Sequence, residues 1–376
     1  MKPAIWVKRL PWLIVAVAVA LVALGCLGIS RYEQLGGSGG LVRRQMFFCL
    51  PAMLVMFAAT LPNYRVLCRF SYFLFLLSLV LLVAVYFFPP INYSHRWIRI
   101  GPIGLQPSEF AKVAYVLALA RYLMYRENYR RFRGLLPPLV LTLLPVLLIL
   151  REPDLGTALV FLPVFMVMLF AAGAKRIDLT AVVVAGLMTL PLLWTQMSLE
   201  QRSRVTALFE QPAADQRPSD DAYHLHQAKQ VRALGGVWGS YFTGQATDDM
   251  AVYRLPAGHS DFIFCILGER FGLPGMGLLL ALYAVLVWRA WAVAAATREP
   301  FGRLLAVGIG ALFAVQVLIN VGMTVGLLPI TGLSLPLVSY GGSGLVANSA
   351  AIGLLLNVGM RPGYEVANEP FRYTVY

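Results

Sequence analysis

Charged side chains are scarce in this chain. Asp, Glu, Lys and Arg together make up 13% of its 376 residues, where a soluble globular domain carries about 25%. That shortage excludes a soluble domain of ordinary composition. Acids are the scarcer sign: 18 Asp and Glu stand against 31 Lys and Arg, a net charge of +13. Cys26, Cys49, Cys68 and Cys265 are the 4 cysteines. Three lie in apolar runs and none forms a CxxC pair, so no disulfide framework or zinc pattern is expected. There is no Walker motif, no dinucleotide-type GxGxxG and no HExxH, which argues against nucleotide-driven and zincin chemistry. Gly36–Gly40 has no phosphate-loop lysine after it and reads as a flexible loop. His224 and His226, with Asp220 and Asp221, are only a weak metal signal. No repeat is evident, and the paired broken helices of an inverted-repeat transporter are missing.

What is abundant is apolar length. Hydrophobic residues make up 59% of the chain and the mean hydropathy is +0.70. A membrane-spanning helix needs about 20 mostly apolar residues. Ten runs qualify: 10–30, 45–62, 70–89, 107–125, 135–150, 155–173, 177–197, 261–288, 302–324 and 343–360. The expected fold is an all-α polytopic membrane protein of about ten transmembrane helices, forming one membrane domain over 1–376. The N-terminal run has no small-x-small cleavage site and reads as an uncleaved first span. An even count places both termini on one side, and the basic residues of the short connections concentrate there, so both termini are expected to be cytoplasmic. The excess positive charge then serves topology and anionic headgroups rather than nucleic acid.

Two segments on the extracytoplasmic side stand out. The loop 198–260, between helices seven and eight, is longer than a connection needs. It contains a helical patch, Tyr223–Leu234, that ends at Gly235-Gly236 and is expected to lie on the membrane surface. The stretch 325–343 is too apolar for a solvated loop and too rich in Pro and Gly for a helix. Irregular backbone at membrane depth is tolerated where it is buried or lines a wet cavity, so it reads as the re-entrant wall of a cavity.

Polar residues from several helix ends gather on this expected rim: His95, Arg96, Trp97, Arg99, Gln106, Ser108, Glu109, Arg151, Glu152, Asp154, Asp261 and Ser339-Tyr340-Gly341-Gly342-Ser343. Each has a bland reading beside a functional one. Glu109 and Lys112 share a helix face; they form either a buried ion pair or, through Lys112, a contact to an anionic substrate. Trp97, between Arg96 and Arg99, is either an interfacial anchor or part of a platform where arginines meet phosphate oxygens. Asp154 and Asp261 are both favoured N-cap residues. Asp261 carries more weight. It stands directly before the apolar run Phe262–Leu267, with His259 two residues earlier, and an acid at that depth is costly unless paired, wetted or used. Two classes survive: an enzyme acting on a lipid-linked anionic substrate, or a flippase for one.

Four stretches carry a resemblance: His95–Lys112 (HRWIRIGPIGLQPSEFAK), Glu152–Thr157 (EPDLGT), His259–Phe264 (HSDFIF) and Leu328–Ser343 (LPITGLSLPLVSYGGS). In this order the chain resembles, over essentially its whole length, the SEDS family, the RodA, FtsW and SpoVE glycosyltransferases of bacterial cell-wall synthesis. Leu328–Gly332 and Tyr223–Gln227 read slightly closer to RodA. Gly235–Ser240 lacks the family's usual lysine, and Gly268–Gly272 lacks its second acid.

The resemblance implies a ten-span enzyme of the bacterial inner membrane that polymerises peptidoglycan strands from lipid II, in elongation, division or sporulation. It places the family's essential aspartate on Asp261, its Trp and Arg on Trp97 and Arg96, and its Glu–Lys pair on Glu109 and Lys112. It implies a class B penicillin-binding protein, a transpeptidase, as partner, and a divalent cation, Mg or Mn, has been implicated. Asp154, His259, Ser339 and Tyr340 join Arg96, Trp97, Arg99, Glu109 and Lys112 as candidate substrate-binding residues. Transfer from an α-linked pyrophosphate to a β-1,4 linkage inverts the anomeric carbon, so one general base suffices, in contrast to the paired carboxylates of glycosidases. Asp261 is the candidate base. Arg96, Arg99 and Lys112 are the candidates for the pyrophosphate. The alternative remains a lipid II flippase without catalysis.

Overall fold

A computed structural model describes residues 10–36, 39–89, 95–100, 103–125, 132–206, 208, 220–244, 255, 257–361 and 363. Apolar helices occupy all ten expected places: α1 Trp12–Gln34, α2 Leu41–Ala58, α3 Tyr64–Ala84, α4 Pro107–Leu123, α5 Leu136–Arg151, α6 Leu155–Ala172, α7 Arg176–Gln196, α11 Ile263–Ala296, α12 Pro300–Val325 and α13 Gly342–Met360. Between α7 and α11 lie three more, α8 Leu199–Thr206, α9 Asp220–Leu234 and α10 Ser240–Thr243. Among the described residues, seven helices are both long and apolar enough to cross a membrane; α4, α5 and α7 fall outside that group.

Local sequence sets the helix ends. Asn63 caps α3 by accepting from the Val66 amide at 3.2 Å. Glu299 caps α12 through the Phe301 and Gly302 amides, and Pro300 follows at the first turn, where its missing N–H costs nothing. Gly173 and Gly326 close α6 and α12 in the left-handed conformation that glycine adopts without strain.

The core runs through α12 and α13. In each, 78% of the most apolar stretch is buried, against 22% in α2, which turns Met46, Phe47, Leu50 and Leu54 outward. α12 packs against α4, α6 and α11, and α13 against α2 and α4. Small residues permit the close approaches: a side chain at Gly353 of α13 would stand 2.2 Å from the Met56 carbonyl of α2.

Three features differ from expectation. The span expected at 261–288 is broken at Gly272 (φ 63°, ψ −156°), next to Pro274. The part after the break, 273–296, is about 36 Å long at a rise of about 1.5 Å per residue, enough alone for a hydrocarbon core of about 30 Å. Ile263–Phe271 is therefore a separate half-helix, buried from Ile263 to Glu269. Second, α9 packs its Leu225, Ala228 and Val231 against α11 and α12, so this helix lies on the bundle. Third, a two-stranded hairpin, β1 Ile98–Ile100 with β2 Ile103–Leu105, precedes α4. Its alternating Ile, Arg and Leu residues around Gly101-Pro102 are a strand-turn-strand signal overlooked beside the helical runs.

Candidate active site

Asp261 sits in the turn 257–262, immediately before the half-helix. The cap position belongs to Phe262, so Asp261 does not cap the helix. The turn is fastened to the irregular, largely buried segment 327–341. Ser339 Oγ donates to the Ser260 carbonyl at 2.5 Å and accepts from the Leu335 amide at 2.8 Å. The Tyr340 amide donates to the His259 carbonyl at 2.9 Å. From α12, Asn320 Nδ2 donates to the Asp261 carbonyl at 2.9 Å and to the Leu333 carbonyl at 2.7 Å, so one buried amide ties both segments together. Gly332, with φ 71°, lies beside Asp261 Oδ2.

The turn and this segment form one wall of a cavity of about 330 Å³. Asp261, Ser339 and Tyr340 line that wall; Arg96 and Trp97, Glu109 of α4, Asp154 and Thr157 at the start of α6, and Gly344 and Asn348 of α13 line the others. Arg96 donates from Nε to the Glu152 carbonyl at 3.1 Å and from Nη2 to the Pro153 carbonyl, which fixes its plane. The Trp97 ring lies over Gly104, where a Cβ would stand 3.2 Å from the ring. The hairpin is docked by Ser343, whose Oγ donates to the Gly104 carbonyl at 2.7 Å. Among the described residues, the non-glycine positive φ angles fall at Pro153 (28°), Ala257 (53°) and Leu337 (66°). Leu337 lines the cavity and Pro153 precedes Asp154, which lines it, while Ala257 opens the turn that carries Asp261; such strain clusters at functional sites.

Burial pushes the Asp261 carboxyl up to about 6; the Ser260 side chain lowers it, the charge of Asp154 raises it, and Arg96 and Arg204 lower it. Burial likewise pushes Glu152 up to about 8, with Asp154 adding to the rise and Arg96 opposing it. Glu152 is fully buried and neither carboxyl oxygen has a hydrogen-bond partner among the described residues. Burial lowers His259, so its ring is neutral at pH 7.

The remaining candidates sort by placement. Asp154 does cap α6, accepting from the Thr157 amide at 3.2 Å and hydroxyl at 2.9 Å, while also lining the cavity. Lys112 does not line it. Its ammonium is buried between Glu109 Oε1 at 2.8 Å and Gln316 Oε1 at 2.6 Å. Glu109 Oε2 has no partner among the described residues and faces the space beside Gly344. Arg99 is exposed on β1 and also lies outside the cavity lining. His259 stands behind the wall, its ring 5.4 Å from that of Tyr340. Asn320 and Gln316 were missed in the sequence; their signal is two amides, i and i+4, inside an otherwise apolar helix. Asp220 and Asp221 have no described side chains.

Among the described residues no three of His, Cys, Asp and Glu come together as a metal-ligand set. Both Asp154 oxygens are engaged by Thr157. These donors do not fit a resident divalent cation, and no step below runs through one.

Residues 8–362 match the family model described as "Cell cycle protein" and named for FtsW, RodA and SpoVE. The chain is 33% identical over 368 residues to the "Probable peptidoglycan glycosyltransferase FtsW" of Geobacter sulfurreducens, covering 94% of this chain and 96% of that protein. It is 33% identical over 353 residues to the peptidoglycan glycosyltransferase MrdB of Escherichia coli K12, covering 90% and 91%. Among solved structures, it is similar to the rod shape determining protein RodA of Thermus thermophilus at TM-score 0.71 and 31% identity, over 94% of this chain and 98% of that one. A chain from a peptidoglycan synthase complex described as coordinating polymerization and crosslinking matches at TM-score 0.78 and 31% identity, over 94% and 98%.

Proposed function

The chain belongs to the FtsW, RodA and SpoVE family, and we propose that it polymerises peptidoglycan strands from lipid II with Asp261 as general base. It is a multi-pass membrane protein and a peptidoglycan glycosyltransferase. The observation that carries the catalytic assignment is the placement of Asp261: a carboxylate raised to about 6, on the wall of a polar cavity of about 330 Å³, opening from an apolar bundle. A flippase needs a passage for a headgroup but no base.

In the proposed step, Asp261 takes the proton of the acceptor sugar 4-hydroxyl. That oxygen forms a bond to the anomeric carbon of the donor as the bond from that carbon to the pyrophosphate oxygen breaks, inverting the centre. Undecaprenyl pyrophosphate leaves with the electron pair. Arg96, held by two carbonyls through Nε and Nη2, stabilises the departing charge. Glu109 Oε2 accepts a hydrogen bond from a substrate hydroxyl or amide, and Trp97 and Tyr340 flank the sugar. Lys112 acts indirectly, by holding Glu109. The charge bias of the connections supports an extracytoplasmic cavity with both termini in the cytoplasm, and a class B penicillin-binding protein as the crosslinking partner fits the synthase complex it resembles.

The test uses the purified protein with its class B partner, lipid II in detergent, and a gel of the products. Wild type makes polymer and Asp261→Asn loses at least about 10²-fold, within the range for a lost general base. Equal polymer from Asp261→Asn removes the base assignment; no polymer from wild type, with lipid II transfer in sealed vesicles, selects the flippase. Because a base works unprotonated, kcat/KM should rise with pH through about 6 and then level off.

A further inference from the structure

We infer that the end of α1 is a positioning clamp on the catalytic turn: the consecutive residues Arg31 and Tyr32 hold the two ends of the segment 258–269 that carries Asp261. The inference rests on Asp261 being the base.

Arg31 grips the far end. Its Nε donates to Glu269 Oε2 at 2.9 Å and its Nη2 to Glu269 Oε1 at 2.7 Å. Nη2 also reaches Ser240 Oγ of α10 at 3.2 Å. Glu269 is fully buried, so this fork-on-carboxylate contact is shielded from water. Tyr32 grips the near end. Its ring centre lies 5.0 Å from that of His259. It also fills the space over Gly258, where a Cβ would stand 2.8 Å from Tyr32 Cε2. His259 passes the restraint to the cavity wall, through its ring contact with Tyr340 and its carbonyl bond to the Tyr340 amide. The clamp is itself anchored: Glu33 accepts from the Leu41 and Val42 amides at the start of α2, which ties α1 to its neighbour.

The half-helix needs such a clamp. It is short, it follows a turn strained at Ala257, and it ends at the Gly272 break, so no continuous helix fixes its direction from either side. A general base must sit within about 2.6–3.2 Å of the proton it takes, and a displacement of about 1 Å can cost about 10²-fold. Neither Arg31 nor Tyr32 lines the cavity, so both act through the turn and not on the substrate.

The test replaces the ion pair with apolar residues, Arg31→Met/Glu269→Leu, a change that leaves stability near wild type. Lipid II polymerisation by the complex in detergent is measured as kcat and KM separately, beside the melting midpoint. The clamp predicts a kcat lower by about 10- to 100-fold, with KM and melting unchanged. Tyr32→Leu lowers kcat in the same way, and Tyr32→Phe, which keeps the ring, restores it. Wild-type kcat in the double variant at unchanged melting overturns the clamp. If that variant does not fold, the Tyr32 pair decides: equal kcat in Tyr32→Leu and Tyr32→Phe overturns it. Asp261→Asn, run alongside, separates the failures. Full activity there removes the base assignment and the clamp with it; loss there with full activity in the clamp variants removes the clamp alone.

Discussion

Two buried ion pairs of nearly equal length stand among the described residues, and they are built in opposite ways. Glu109 and Lys112 pair within one helix, at 2.8 Å, and Gln316 completes the ammonium's shell. That leaves Glu109 Oε2, at the cavity, without a partner among the described residues. Arg31 and Glu269 pair at 2.7 Å across 238 residues of sequence, and both carboxylate oxygens are used. A desolvated carboxylate oxygen without a partner gains strongly from any donor brought to it. A fully buried carboxylate whose two oxygens are both held by one guanidinium is closed to a ligand and holds elements together. The first pair is thus suited to binding and the second to placement.

The largest effect comes from breaking the closed pair on one side. Glu269→Ala takes the counter-charge from the buried Arg31 guanidinium and should cost about 3–5 kcal/mol, read as a lower melting midpoint in detergent. A wild-type midpoint would end the comparison. Next, neutralising the open pair as Glu109→Gln/Lys112→Met should leave melting near wild type and raise the KM for lipid II about tenfold, the scale of one lost hydrogen bond to a charged group. The same substitution strategy at the closed pair lowers kcat instead, so identical KM and kcat profiles in the two double variants would erase the distinction. A smaller effect concerns the titration of Asp261. Asp154 raises it, so Asp154→Asn should move the rising limb of kcat/KM below about 6, whereas Arg96→Gln should move it above.

The last effect concerns Glu152. Its carboxyl is raised from 4.5 to about 8, so the folded protein keeps a proton there that the unfolded chain has already released. Stability from this group is fully present below about 4.5 and declines up to about 8. Glu152→Gln should flatten the fall of the melting midpoint over that window. An unchanged slope would show that Glu152 titrates as it does in the unfolded chain.

Much of this site was legible in order but not in depth. The stretch His95–Lys112 pointed to Arg96, Trp97 and Glu109, and all three line the cavity with Asp261. Arg99 and Lys112 did not follow them. On β1 the buried face goes to Ile98, while Arg99 beside it is exposed and lies outside the cavity lining. Lys112 is drawn to Gln316, a partner on another helix 204 residues away in sequence. The half-helix was hidden because Ile263–Phe271 and the span after it read as one apolar run, and a single glycine conformation divides them.

The sequence by itself determined a membrane bundle, because the length of an apolar run decides whether it crosses a bilayer, and length is a local property. It also determined which stretches are polar enough to demand an explanation, Asp261 first among them. Only the tertiary structure decided which of those polar groups share one cavity and which are spent on each other. Desolvation and hydrogen bonding act over a few ångströms in space. The groups that act on Asp261 and fasten its turn, at positions 96, 154, 320 and 339, are scattered along the chain and meet only when the helices pack.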